Sequence, residues 1–203
     1  MSAPITPRIR PIPVEECSDE IQTLLTGELG AGAPVVAPSL ADLGLMRTLA
    51  RHERPFKSFL LLGRRLVLHA AIPFADRELL ILRTAWNCGA AYEWGQHVRV
   101  ATTGGVDRAV IDRVPDGPDA PGWDEHEAAL LRAADELHAT ARLSDLTWNE
   151  LRRRFDERQL IELPMLVGFY HLVAFTLGAL AIVPEPGDEP LPRDTESPGG
   201  LRP

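Results

Sequence analysis

Arg77–Gly105 reads RELLILRTAWNCGAAYEWGQHVRVATTGG, and the fold turns on this stretch. Leu79, Leu80, Leu82 and Ala85 fall at helical spacing and predict a helix with one buried face. Asn87, Cys88 and Gly89 interrupt the run, glycine being a frequent helix stop. A second helical pattern opens near Ala90 and continues through Val100. Tyr92 and Glu93 stand near its start, and His97 follows Glu93 by four residues. Side chains four apart lie on one helix face, so Glu93 and His97 can share a site. Glu78, at the start of the preceding helix, is the third candidate. The remainder of the chain reads as scaffold for this helix pair.

Outward from it, the 203 residues bound one domain with tails, and 45% hydrophobic with 25% charged residues is ordinary globular composition. The net charge of −8 argues against a nucleic-acid partner, since phosphate binding needs clustered Lys and Arg. The tight basic clusters, Arg64–Arg65 and Arg152–Arg154, read as solvated helix faces. Two cysteines, Cys17 and Cys88, make no disulfide framework, and the N-terminus carries no apolar signal segment. A cytoplasmic protein with reduced thiols is the expectation. Leu160–Val183 is long enough to cross a bilayer, but it contains Glu162, Pro164 and His171. It is read as a buried helix of an oligomeric protein, with no membrane partner.

Residues 1–13 carry four prolines and read as an extended arm, either disordered or laid across a neighbouring subunit. Residues 14–183 form a single all-α domain. Helices are expected over Val14–Thr26, Ser39–Arg51, Arg54–His69, Asp107–Val114, Asp124–Arg142, Ser144–Phe155 and Arg158–Val183, with Gly27–Pro38 a loop. Asp76 is expected to cap the Glu78 helix. Asp124/Glu127 and Thr147/Glu150 have capping-box spacing. Residues 184–203, PEPGDEPLPRDTESPGGLRP, read as a flexible Pro/Gly-rich acidic tail with too little apolar surface to order itself.

A carboxylate beside an imidazole fixes its tautomer and raises its pKa, which suits His97 to proton transfer. Glu93 falls in the first turn of its helix, where the macrodipole favours an anion. Two nearby carboxylates, Glu78 and Glu93, would push one pKa upward, a route to a general acid at neutral pH. The same Glu–His spacing also occurs in solvated helix pairs, so the residues alone leave both readings open. Neither HExxH nor CxxC occurs, and no metal site is expected. His171 reads as a hydrogen-bonded core histidine and Cys88 as a buried structural thiol. Tyr92 and Trp94 belong to an aromatic surface divided between core, interface and pocket.

The pattern R-E-L-x-I-L-R, then Y-E-W-x-x-H, then a small-residue run ending in Gly-Gly-Val, resembles the carboxymuconolactone decarboxylase family of the AhpD-like superfamily. The resemblance is most specific over Pro73–Val106 and weakens across residues 40–183. It implies an all-helical AhpD-like bundle assembled as a homo-oligomer, trimer or hexamer, with pockets near subunit interfaces. It also implies a motif glutamate at Glu78 and a histidine at His97. The peroxidase branch has a CxxC ahead of that histidine. Here its positions fall on Ala90 and Glu93, and the dithiol is absent. The decarboxylase branch keeps a glutamate there and needs no cofactor.

The resulting expectation is a cofactor-independent acid–base enzyme, of decarboxylase type, on a small carboxylated lactone or oxo acid. His97 moves the proton, Glu93 orients it, and Glu78 is the partner acid or base. Tyr92, Arg83 and Trp94 bind substrate, with Arg83 alternatively in an ion pair with Glu78 or Glu93. The competing readings are an antioxidant protein with Cys88 as the reactive thiol, and a non-catalytic helical assembly.

Overall fold

The computed structural model describes residues 6–27 and 39–192. Among them the chain forms α-helices and short 3-10 turns and no strand. The helices are α1 (Asp19–Thr26), α2 (Gly44–Leu49), α3 (Glu53–Leu68), α4 (Phe74–Asn87), α5 (Ala91–Thr103), α6 (Arg108–Arg113), α7 (Glu125–Thr140), α8 (Asp145–Leu151) and α9 (Glu157–Leu180).

The hub is α4, which packs against α5, α7 and α9. The expected single buried face is an underestimate, because every residue from Arg77 to Asn87 is buried. Leu80, Ile81 and Leu82 are fully enclosed, each contributing about 1.5–3 kcal/mol of transfer free energy. The polar members of the same helix are tolerated because they find partners. Thr84 Oγ1 returns to Leu80 O at 2.8 Å, and Asn87 Nδ2 donates to Asp135 Oδ1 at 2.8 Å.

The break between α4 and α5 is a Schellman turn. Gly89 takes φ +62°, its N–H donates to Trp86 O, and Ala90 N–H donates to Ala85 O at 2.9 Å. The turn folds α5 back along α4 and thereby sets the helix pair anticipated from the sequence.

Local signals elsewhere are met unevenly. The Asp124/Glu127 capping box forms at α7. At α8 the cap is Ser144, and Thr147 is instead buried with its hydroxyl on Glu136 Oε1 at 2.8 Å. Pro73, not Asp76, occupies the N-cap of α4, and Asp76 accepts from His126 Nε2 at 3.0 Å. Residues 40–51 split into a 3-10 turn and α2, while Gly27 ends α1 and residues 28–38 of the expected loop lie outside the described residues.

Of the helices described, α9 is long and apolar enough to cross a membrane by length and composition. Its carboxylate Glu162 caps the turn before α4, accepting from Ala71 N and Ile72 N at 3.0 Å each. Leu163, Leu166, Val167, Phe169, Tyr170, Val173 and Leu177 are buried in the core. Pro164 lies inside α9 rather than at its start.

The two ends of the chain depart most from expectation. Residues 6–13 lie on their own subunit: Arg8 N–H donates to Leu180 O at 2.9 Å, and Ile12 N–H to Arg47 O at 3.2 Å. Residues 184–192 are fastened across α5 as a strap. Composition suggested a free tail, but its carboxylates meet cations and hydroxyls fixed on the helices. Glu189 takes a two-point contact from Arg108, at 2.6 and 2.8 Å, and Asp188 pairs with Arg99 and Gln96. Residues 193–203 lie outside the described residues.

Candidate functional site

The site lies between residues 40–46, α3, α5 and α9. A cavity of about 170 Å³ opens there. Leu43, Met46, Phe59, Val67, Phe169 and Val173 make most of its wall apolar, and the polar side chains reaching it are Arg64, Tyr92, Glu93, Gln96, His97 and Tyr170.

Arg77, Glu78 and His97 form a buried hydrogen-bonded chain that ends at the cavity wall. Arg77 donates from Nε and Nη2 to Glu78 Oε1 at 3.1 and 2.9 Å, and from Nη1 to Val67 O at 2.6 Å. The other Glu78 oxygen, Oε2, lies 2.8 Å from His97 Nδ1. A carboxylate paired with a guanidinium is an acceptor, so Nδ1 carries the proton. His97 Nε2 is left as the ring nitrogen with no protein partner among the described residues, on a side chain that lines the cavity. Tyr170 packs edge-on to the imidazole, with centroids 4.9 Å apart.

Glu93 and His97 line one cavity and Glu78 lies behind His97, but the two glutamates stand in exchanged positions relative to the expectation. Glu78, from the neighbouring helix, orients His97. Glu93 makes no hydrogen bond to it: neither of its carboxylate oxygens has a partner among the described residues, although both are buried. Burial therefore drives the Glu93 pKa well above its ordinary value. Its place in the first turn of α5 does not prevent this, since no backbone N–H reaches its oxygens. Burial thus biases Glu93 toward its protonated form at the cavity wall.

The Tyr170 hydroxyl is also held protonated, by burial first and then by the charge of Glu78. Tyr92 lines the cavity, but its hydroxyl donates to Glu185 Oε1 at 2.9 Å, a carboxylate that also accepts from Gly44 N at 2.6 Å. Tyr92 thus ties the strap to the wall instead of offering its hydroxyl to a substrate.

Two expected binding residues point elsewhere. Arg83 grips Asp135 through Nε and Nη2, at 2.6 and 2.9 Å, and donates from Nη1 to Val114 O and Pro115 O. Its ion pair is with Asp135 rather than Glu78 or Glu93, because the side chain leaves α4 on the α7 side. Trp94 is buried edge-to-face against Trp86 and is part of the core.

Four site residues escaped the sequence reading. Arg77 precedes Glu78 but looks like an ordinary surface cation in one dimension. Tyr170 and Gln96 carry no motif signal in the sequence. Arg64 was taken for a solvated face, yet it lines the cavity and has no ion-pair partner among the described residues.

Cys88 is outside the cavity wall. Burial pushes its thiol up to about 12. The cysteine positions of the peroxidase pattern are occupied by Ala90 and Glu93, as the sequence indicates.

A family model described as the carboxymuconolactone decarboxylase family matches residues 56–136, the span from α3 to α7 that holds Glu78, Glu93 and His97. Among solved structures, the AhpD-core, peroxidase-related protein of Ralstonia eutropha superposes with a TM-score of 0.72 at 17% identity, covering 91% of this chain and 95% of that one. The debrominase Bmp8 superposes with a TM-score of 0.69 at 16% identity, covering 88% and 92%. A peroxidase-related protein from a Silicibacter species gives 0.62 at 18%, covering 70% and 76%. No curated protein matches the sequence. The matched motif residues, the all-helical architecture and these shared folds lead to one conclusion: residues 56–136 match the carboxymuconolactone decarboxylase family, and the chain has an AhpD-like fold.

Proposed function

We propose that the protein is a cofactor-independent proton-transfer enzyme of decarboxylase type, acting on a small carboxylated lactone or oxo acid. The observation that carries this is the pairing of two proton-handling groups at one apolar cavity: an imidazole oriented by Glu78, and a buried Glu93 carboxyl with no hydrogen-bond partner among the described residues. General acids and bases work best when their environments hold them in opposite forms.

The apolar wall suits the ring or chain of the substrate, and Arg64 supplies a cation for a carboxylate at its edge. In the reaction, the bond from the substrate's α- or vinylogous carbon to its carboxylate breaks and carbon dioxide leaves. The electron pair passes into the adjacent carbonyl as an enolate. Tyr170, which lines the cavity, donates its hydroxyl hydrogen bond to that oxygen. Glu93 then delivers its proton to carbon, and a proton from solvent, relayed through His97, restores it.

The antioxidant reading would need Cys88 as nucleophile. A thiol raised to about 12 and outside the cavity does not favour it.

A homo-oligomer, trimer or hexamer, is part of this proposal. Its support is a row on α9, Ile161, Met165, Gly168, Leu172 and Phe175, in 4-3-4-3 spacing; the four large members are 48–65% exposed. That spacing is the seam of helix-on-helix packing, and a second copy of α9 is its natural occupant. The two free thiols accord with a cytoplasmic setting.

The direct test is a panel of carboxylated lactones and oxo acids assayed for carbon dioxide release. Turnover that is abolished in both His97→Ala and Glu93→Ala supports the reading. Turnover that persists in both, or thiol-dependent peroxide reduction lost in Cys88→Ser, rejects it.

A further inference from the structure

Cys88, His138 and His171 are 50 and 33 residues apart along the chain, and none lines the cavity. The fold nonetheless brings one ligand atom of each to within 4.8 Å of the others. Cys88 is the C-cap of α4, His138 lies in the last turn of α7, and His171 comes from the middle of α9. We propose that these three side chains form a binding site for a borderline-soft divalent transition metal, Zn²⁺ in the first instance, with three protein ligands and an open fourth position.

Three observations carry it. The first is geometry. Cys88 Sγ lies 3.9 Å from His138 Nδ1, which lies 2.9 Å from His171 Nε2. Tetrahedral Zn²⁺ with bonds of about 2.3 Å to sulfur and 2.0–2.1 Å to nitrogen places its ligand atoms about 3.3–3.6 Å apart. The set reaches that arrangement through side-chain shifts of roughly an ångström or less. The ligand types, one thiolate and two imidazoles, are those Zn²⁺ prefers.

The second is orientation of a ligand from behind. His171 Nδ1–H donates to Val167 O at 2.8 Å, which leaves Nε2 as the bare nitrogen aimed at His138. Fixing the outer nitrogen of an imidazole on a backbone carbonyl is how metal-ligating histidines are set. Without metal, His138 Nδ1–H supplies the hydrogen between the two rings. A bound cation takes that place, with His138 carrying its ring proton on Nε2 and Cys88 giving up its thiol proton.

The third is the field. Both α4 and α7 end at the cluster, directing the negative ends of their dipoles at it. A cation is the ligand such surroundings favour. His138 is exposed, so the fourth position opens to water or a small anion.

The test uses the tag-free full chain, stripped by a chelator. Zn²⁺ is titrated in competition with a chromophoric indicator, and Co²⁺ binding is followed by absorption. One equivalent of tight binding is expected, with a thiolate-to-cobalt charge-transfer band. Cys88→Ser should abolish the band, and Cys88→Ser and His138→Gln should each weaken Zn²⁺ roughly tenfold or more. His138→Gln is a surface change that spares folding, and His52→Gln, remote from the cluster, should bind as wild type does. Binding below one equivalent, a Co²⁺ complex without the thiolate band, or wild-type affinity in both ligand variants overturns the proposal.

Discussion

Glu78 and His97 are nineteen residues apart in sequence and meet through a 2.8 Å contact between Oε2 and Nδ1, with Arg77 holding the other oxygen of the same carboxylate. Because one glutamate serves both a buried cation and the imidazole, its removal separates into two effects. Glu78→Ala strands Arg77 in the interior and should cost about 3–5 kcal/mol of stability. Glu78→Gln keeps an acceptor for Nδ1–H and should fold, yet lower turnover by weakening support for the imidazolium. His97→Ala should lower kcat by about 10²–10⁴. Chemical denaturation beside kcat measurements separates the effects; a Glu78→Gln protein with full turnover would contradict that support.

The buried acid Glu93 gives stability a signed dependence on pH. Its folded pKa lies above the ordinary value of 4.5, so above 4.5 the native state binds more protons than the unfolded chain. Stability is then greatest below that value and declines as pH rises toward the folded pKa, at no more than about 1.4 kcal/mol per pH unit. Glu93→Gln should flatten that decline. Denaturant midpoints of both proteins across this range check it, and parallel curves would rule it out.

Arg83 and Arg64 should fail in different ways. Arg83→Met leaves Asp135 without its partner and should cost about 1–3 kcal/mol, with KM unchanged in the folded fraction. Arg64→Ala removes an exposed side chain at the cavity and should leave stability within about 0.5 kcal/mol, while raising KM for a carboxylated substrate. Thermal melts and steady-state kinetics on the two variants decide it. The assignment of Arg64 fails if its KM is that of the wild type.

Charge placed on the apolar row of α9 should break the assembly. The double variant Ile161→Glu/Phe175→Glu alters side chains 64% and 65% exposed, so the subunit itself should keep its fold. Light scattering should report a monomer mass for the variant and a multiple of it for the wild type. A wild type already monomeric would remove the oligomer from the proposal.

What the sequence made legible follows from how far each signal reaches. The α4–α5 pair, its glycine break and the Asp124 capping box depend on residues within a few positions of one another, and each is where the pattern predicted it. The positions of the two glutamates differ from expectation because spacing along one helix can show only what that helix offers His97. Its real partner arrives from α4. Arg83 and Asp135 are 52 residues apart, as unreadable in one dimension as the cluster of Cys88 with His138 and His171. The strap was missed because composition counts apolar surface. Residues 184–192 are anchored mainly by carboxylates that meet Tyr92, Gln96, Arg99 and Arg108.

That strap also sets an order of assembly. Gly95 passes so close beneath it that a Cβ there would lie 2.8 Å from Asp188 Cβ and Glu189 O, so the segment and α5 fit only as a finished pair. Tyr92 waits 93 residues of synthesis for Glu185, and Gln96 waits 92 for Asp188. A nascent chain therefore completes its helix hub well before its cavity wall. Chains arrested just after α9 should have the circular dichroism of the native protein and an unfinished site.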